Sequence, residues 1–546
     1  MLAKYATDRH DERQSPASTR PQRIPPLTSV PPNPSAQDDT NAIVLERLRE
    51  ATAFLESLVA DPLLLAQLPA QDRSRLQLAI ANIYHPDPAI RRVKLKAAQK
   101  AHYASKIRAD DSVLDQTGIR ALRRKPVFSA PSAFAPEGFE AHDVSPDNDR
   151  AQPRESIEPQ HCYVCKKKYS AIHFFYDQLC PDCATFNYAK RTELVDLRGR
   201  VALLTGGRVK IGYQAGLKLL RAGAELIVTT RFPRDSAARY AEEPDFAQWS
   251  DRLQVYGLDL RHTPSVEAFC HELIATRPRL DFIINNACQT VRRPPDFYAH
   301  MMEGETAALH DLPAHVRQLV GHYEGLRGAH LLPENSAGGS AAVAGLTRAA
   351  ELSQLPLLPE ELLAQQHLFP EGRLDQDLQQ VDLRERNSWR LLMAEVPSVE
   401  LLEVQLVNAI APFIINARLK PLMLRTPERD KHIVNVSAME GQFYRSFKTT
   451  RHPHTNMAKA ALNMMTRTSA ADYHNDGIHM NSVDTGWVTD EDPAGLAAKK
   501  VIEERFHPPL DIIDGAARIV DPIISGINIG EHVWGQFLKD YRPTDW

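Results

Sequence analysis

The spacing of apolar residues divides the chain into stretches with different periods. Residues 1–40 show none: seven prolines lie among scattered Ser, Thr and Asp. Such a composition buries too little surface to offset chain entropy, so a disordered tail is expected. From Asn41, the residues Ile43, Val44, Leu45, Leu48, Ala51, Phe54, Leu55, Leu58 and Val59 recur at three- and four-residue steps, behind Asp38, Asp39 and Thr40 as candidate caps. This predicts an amphipathic helix. Helical patterns follow over Ser74–Ile83 and about Ala89–Ile107, and no glycine precedes Gly118, so residues 41–125 read as a helical module. The proline-rich stretch 126–158 reads as a linker.

Beyond Leu197 the pattern shortens. Residues 199–207 form an apolar strand ending in small residues; Ile211-Gly212 opens a helical pattern through Ala215, Leu217, Leu219 and Leu220; Ala224–Thr230 is a second strand. The glycine turn of this β-α-β unit can offer backbone N–H groups and a helix N-terminus to a pyrophosphate. Further strands are expected at Leu253–Leu258, Leu280–Ile284, His432–Val436 and toward Leu538. The alternation predicts an α/β fold, a doubly wound parallel-sheet Rossmann domain over 195–546. About 120 residues separate Asn286 from Asn408. Roughly Pro294–Ala394 reads as an inserted segment leaving the carboxyl end of a strand, placed to cover a substrate pocket, with a partly disordered loop or an oligomer contact as the alternatives.

Composition narrows the function classes. Of 546 residues 43% are apolar and 25% charged, values of a soluble multidomain protein. Lys plus Arg number 65 against 69 Asp plus Glu, a net charge of -4 that favours neither nucleic acid nor an anionic membrane as the main partner. The third helix is locally basic, with Arg91, Arg92, Lys94, Lys96, Lys100, Lys106 and Arg108, and is read as a solvated or docking face. No leader-like or membrane-length apolar run is seen, so a cytoplasmic location without a membrane partner is expected. Of six cysteines, Cys162, Cys165, Cys180 and Cys183 form two Cys-x-x-Cys pairs separated by 14 residues. This spacing predicts a closed tetrahedral site for structural zinc in a knuckle spanning 159–192. Its Lys166, Lys167, Lys168, Phe174, Phe175 and Tyr176 are read as a docking face rather than a nucleic-acid surface.

In the large domain the order of motifs resembles the short-chain dehydrogenase/reductase family. The family's T-G-x-x-x-G-x-G motif aligns with Thr205, Gly206, Gly207, Arg208, Val209, Lys210, Ile211 and Gly212. The resemblance implies Asp259 beside the adenine, a cofactor cleft walled by Asn285, Asn286 and Ala287, and active-site positions at Asn408, Ser437 and Lys459, the lysine also binding ribose. Val483–Thr489, with Gly486, looks like the segment beside the nicotinamide. The family's activity, oxidoreduction of a small carbonyl or alcohol, is the implied function; a nucleotide-binding sensor without turnover is the alternative. Homo-oligomers through the helix after Lys459 are likewise implied; under the sensor alternative, the N-terminal helices and knuckle would contact a protein partner.

Two departures stand out. Lys210 replaces the middle glycine, implying either a reshaped loop or an ammonium that binds phosphate. Thr455 stands where the family has its tyrosine, four residues before Lys459. A phenol beside a lysine is a proton donor, whereas an aliphatic hydroxyl is far less acidic. Tyr444, His452 and His454, or a water ordered by Thr455, are the candidate replacements. The second strand ends in Arg231 rather than an acid, which favours NADP(H) over NAD(H).

Overall fold

The computed structural model describes residues 34–61, 63–84, 88–125, 154–329, 349–363, 365–444 and 448–546. It falls into two compact units, Met1–His102 and Tyr103–Trp546. The first unit is helical. Helix α1 spans Pro34–Ala60, followed by α2 (Leu63–Ala66), α3 (Ala70–Tyr84) and the start of α4 (Pro88–Leu114). Residues 34–40, expected in the tail, are thus helical; a proline in the first turn costs no hydrogen bond because its N–H would be unpaired there anyway. The apolar stripe of α1 stays uncovered: Ile43, Val44, Leu48, Phe54 and Val59 are exposed and Leu58 is buried.

The expected module 41–125 is split, with 103–125 belonging to the second unit. Leu114 and Ile119, on α4 and α5 (Gly118–Arg124), are buried in one core with Cys162, Phe175 and Tyr176. Arg123 adds hydrogen bonds to the carbonyls of Pro508 and Leu510, at 2.7 and 2.8 Å. The expected linker also ends early. Strand β1 (Arg154–His161) pairs antiparallel with β2 (Lys168–Ile172), and the Asp110 carboxylate accepts from Ile157 N at 2.6 Å. Residues 154–158 are thereby held as strand, while 126–153 lie outside the described residues. Helix α6 (Pro181–Thr192) completes the small ββα knuckle unit.

The large domain is built on an eight-stranded sheet. Its strands are β3 (Val201–Thr205), β4 (Glu225–Thr230), β5 (Leu253–Gly257), β6 (Phe282–Asn285), β7 (Lys431–Ser437), β8 (Ile478–Asp484), β9 (Phe537–Lys539) and β10 (Arg542–Thr544). The order is β10-β9-β8-β7-β6-β3-β4-β5, parallel except for the β10–β9 pair. The order reverses between β3 and β6, the crevice at which open parallel sheets bind ligands. Strands β3, β7 and β8 are buried along their length, as expected of a sheet covered on both faces. Helix α7 (Lys210–Arg221) and the helix Ile512–Ile529 share one core with the sheet. Helix α9 (Thr263–Thr276) and the helices Ala411–Met423 and Pro453–Asn475 share the other. The run Ser398–Met423 is long and apolar enough to cross a membrane. Its Ile415, Leu419, Leu422 and Met423 are nevertheless buried in that core. The insertion supplies α10 (Pro295–Thr306) and α11 (Ala314–Ala329), among other turns, and packs Phe297, Tyr298 and Phe369 against Phe232.

Candidate functional site

The loop after β3 turns on two residues with positive φ. Gly206 has φ +70° and Lys210 φ +55°. Lys210 thus takes the left-handed conformation that glycine adopts freely and other residues reach at about 1–2 kcal/mol. This is a third outcome beside the two expected: the turn is kept, with a lysine in it. Burial would lower the Lys210 ammonium, but Glu491, Asp377 and Asp375 outweigh it and hold its pKa above the ordinary value. The loop is further fixed from β6: Asn286 Nδ2 donates to the carbonyls of Thr205 and Gly206 at 3.1 and 3.0 Å, and Ala287 N donates to Thr205 Oγ1 at 3.0 Å. A Cβ on Gly212 would lie 2.2 Å from Gly206 O and 2.4 Å from Asn286 Nδ2, so only glycine fits there.

Arg231 follows β4. Its guanidinium lies over the Tyr298 ring at 4.6 Å and donates to the phenol oxygen at 2.6 Å. Among the described residues no carboxylate forms an ion pair with it, whereas Arg208 is paired with Asp235 at 2.7 Å. Burial would raise the Tyr298 phenol, but Arg231, Arg293 and Arg208 reverse that and hold it below its ordinary value. Asp259, after β5, is opposed by burial but kept ionised by Arg261, at 2.7 Å. Arg261 continues to Glu403 at 2.8 Å, which also accepts from Arg292 at 2.7 Å.

Ser437, at the end of β7, donates to Asn463 Oδ1 at 2.6 Å, and Lys459 Nζ donates to Val436 O at 2.8 Å. Asn408 lies in a π-helical turn, Leu406–Ile410, where its amide accepts from Gln289 N at 2.7 Å and donates to Gln289 O at 3.1 Å. Thr455 is buried, and among the described residues its hydroxyl has no hydrogen-bond partner.

One cavity of about 1080 Å³ gathers most of these groups. Gly206, Arg208, Lys210, Ile211, Gly212, Arg231, Asp259, Asn286, Ala287, Ser437, Lys459 and Gly486 line it. That size and the many convergent polar groups are those of a cofactor-plus-substrate site. The expected residues Thr205, Gly207, Asn285, Asn408 and Thr455 are not among its lining. Thr205 and Asn408 act one step back, on the backbone of Ala287 and Gln289. Gly207 gives its carbonyl to Tyr240 at 2.9 Å. Asn285 points into a buried amide network, donating to Asn416 and Asn435 at 2.8 and 2.9 Å. The suggested proton donors also lie elsewhere. His452 stacks on Trp389 at 3.8 Å, His454 meets the Glu400 carboxylate at 3.2 Å, and Tyr444 is exposed.

Sequence reasoning missed other lining residues. The insertion contributes Tyr298, Asp375, Gln379, Val381 and Trp389, and the knuckle contributes Tyr163 and Lys166. Nothing local to Tyr163 announced a contact made over 300 residues along the chain.

In the knuckle the Sγ atoms of Cys162, Cys165, Cys180 and Cys183 all lie within 4.8 Å of one another, with Cys165 and Cys180 at 3.6 Å. Zn–S bonds of about 2.3 Å at tetrahedral angles put sulfurs roughly 3.8 Å apart, so the donor set fits such an ion. Phe175 and Tyr176 are buried beside Val488, Leu510 and Ile512 of the large domain, which makes them a docking face.

Comparison with known proteins is consistent across the large domain. A family model described as short chain dehydrogenase matches residues 200–304, and one described as Enoyl-(Acyl carrier protein) reductase matches 389–509. An uncharacterized protein of Acanthamoeba polyphaga mimivirus is 31% identical over 379 residues, 67% of this chain and 72% of that protein. Dehydrogenase/reductase SDR family member 13 of Bos taurus is 37% identical over 108 residues, 18% of this chain and 28% of its own length. Retinol dehydrogenase 14 of Mus musculus is 35% identical over 102 residues, 17% of this chain and 30% of its own. A solved dehydrogenase/reductase from Sinorhizobium meliloti shares 17% identity with a TM-score of 0.38, covering 65% of this chain and 97% of that one.

Proposed function

Since the chain belongs to the short-chain dehydrogenase/reductase family, as a divergent member of it, we propose that it is an NADP(H)-dependent oxidoreductase acting on a small carbonyl or alcohol. The observation that carries this reading is the single cavity uniting the glycine loop, Asn286, Ser437, Lys459 and Gly486 at the carboxyl ends of the parallel strands. The dinucleotide, when bound, supplies or accepts the hydride. Gly206–Gly212 and the N-terminus of α7 hold its pyrophosphate. Asp259 faces the adenine, and Lys459 the ribose. Arg231, which donates to the Tyr298 phenol oxygen and forms no ion pair among the described residues, keeps its charge for a 2′-phosphate. Ser437 gives its proton to Asn463, so its oxygen serves the substrate as an acceptor, an arrangement suited to a hydroxyl. Thr455 takes no part, since its buried hydroxyl is outside the cavity. The four thiolates hold structural zinc, leaving no open position for catalysis. The uncovered apolar stripe of α1 supports a protein partner for the N-terminal helices.

The test is calorimetric titration of the zinc-replete protein with NADPH and NADH, followed by absorbance at the reduced nicotinamide band with a panel of aldehydes, ketones and alcohols. Micromolar NADPH binding, weaker NADH binding and turnover with one panel member are expected. Arg231→Leu should remove the preference for NADPH. An NADH affinity equal to that for NADPH would overturn the cofactor assignment; tight binding without any turnover would overturn the enzymatic one.

A further inference from the structure

We infer that the four-cysteine knuckle forms a wall of the dinucleotide cleft, so that metal in the cluster and dinucleotide in the cleft strengthen each other's binding. The inference rests on the dinucleotide reading above. Tyr163 lies between Cys162 and Cys165, and its hydroxyl accepts a hydrogen bond from Trp487 N at 3.0 Å. It reaches the segment beside the nicotinamide position, 3.5 Å from where a Cβ on Gly486 would stand. Lys166 turns the same knuckle loop with φ +63°, and its N–H donates to Cys162 O at 3.0 Å. Its ammonium lies 4.8 Å from the centre of the Tyr163 ring. Both side chains line the cavity, with Lys539, Asp484 and Ser437.

The knuckle also grips both loops between which a dinucleotide would lie. Val488, just past Gly486, is buried in the same core as Cys162, Cys180, Phe175 and Tyr176, and Ile211 of the glycine loop packs against that core. Beneath them Arg191 of α6 is paired with Asp511 and Asp514 at 2.7 and 2.9 Å, and Asn187 accepts from Arg518 at 2.7 Å. Small thiolate knuckles generally hold their shape only with the ion bound. Loss of the ion would therefore free Tyr163 and Lys166 from the cleft and loosen the packing on Ile211 and Val488. Coupling between two binding equilibria is reciprocal, so dinucleotide must tighten metal by the same factor.

The full chain is titrated with NADPH before and after removal of zinc by a chelator, with far-ultraviolet circular dichroism recorded on both forms. Zinc removal should weaken NADPH about tenfold, and saturating NADPH should lower zinc transfer to a chromophoric chelator by the same factor. Because the stripped knuckle could unfold more widely, Tyr163→Ala supplies an arm that leaves all four sulfurs in place. It should bind one zinc, weaken NADPH by about tenfold, and abolish most of the effect of NADPH on zinc transfer. NADPH affinity within about twofold of wild type in Tyr163→Ala, or zinc transfer indifferent to NADPH, overturns the inference while leaving the dinucleotide reading intact. Failure of the zinc-loaded wild type to bind NADPH at all refutes that reading, and this inference with it.

Discussion

Replacing Arg191 by methionine probes the junction on which the cleft depends. The guanidinium donates to Asp511 Oδ1 and Oδ2 at 2.7 and 2.9 Å and to Asp514 Oδ1 at 2.9 Å, with side-chain exposures of 4%, 7% and 0% for the three residues. Methionine keeps most of the stem volume but leaves two buried carboxylates without the cation paired to them, only Arg123 and Arg518 acting on them from further off. Breaking a buried pair from one side costs about 3–5 kcal/mol. At a urea slope of about 3 kcal/mol/M this lowers the unfolding midpoint by about 1–2 M. Burial acts to raise Asp511, but Arg191 more than compensates and holds its pKa below the ordinary value. A carboxylate with a depressed folded pKa stabilises the protein above its unfolded value, near about 3.9, and this contribution is lost as pH falls through the lower folded value. Burial and Asp511 hold the Asp514 carboxyl above its ordinary value, so the gap between wild type and Arg191→Met should be largest in the neutral range, begin to narrow on acidification as Asp514 takes a proton, and close as Asp511 follows. Tryptophan fluorescence during urea unfolding measures both. A variant within about 1 kcal/mol of wild type at pH 7.5 would refute the argument, since that is the worth of an exposed pair.

Three further outcomes are expected. Gly212→Ala forces a contact of 2.2 Å on Gly206 O, and overpacking of about 1–3 kcal/mol should weaken NADPH roughly ten- to hundredfold in a calorimetric titration. Thr455→Val removes a buried hydroxyl that has no partner among the described residues, so thermal stability should hold or rise by about 1 kcal/mol with turnover unchanged; a large loss of turnover would restore Thr455 to the reaction. His452 is pushed down to about 4 chiefly by burial, helped by His454. The unfolded state therefore takes its proton first, and stability should decline as pH falls from about 6.5 toward 4, by up to about 3 kcal/mol. His452→Asn, which tolerates the left-handed backbone at this site, should flatten that slope in pH-dependent denaturation.

What could be read from the chain was whatever local pattern dictates. The strand ends, the glycine turn and the Cys-x-x-Cys spacing are short-range signals; Gly206, Gly212 and Asn286 line one cavity, and the four sulfurs lie within 4.8 Å of one another. Lys210 was ambiguous because sequence shows a missing glycine but not a φ of +55°. Asn285 was assigned to the cleft by its place in a motif; its neighbour Asn286 holds the loop, while Asn285 faces the opposite way, into the network of Asn416 and Asn435. The histidines between Ser437 and Lys459 were mobile candidates on paper. They are pinned by Trp389 near the end of the insertion and by Glu400 just beyond it, partners that no periodicity could supply. Residues 103–125 joined the wrong module because a continuous helix, α4, carries no mark of where its packing partner changes.

The cleft also sets an order of events during synthesis. Tyr163 and Lys539 both line it, and β9 pairs with β8 only after nearly the whole large domain has been made. At about 5–20 residues per second, the ribosome needs roughly 20–75 s to travel from one to the other. For most of that interval the completed knuckle exists without the helix Ile512–Ile529 that later packs on Phe175 and Tyr176. A metal-loaded knuckle would keep those rings ordered and waiting, whereas an empty one would present loose aromatic chain to its neighbours. If the four sulfurs hold zinc as proposed, metal supply during translation would bear on how much protein reaches the folded state.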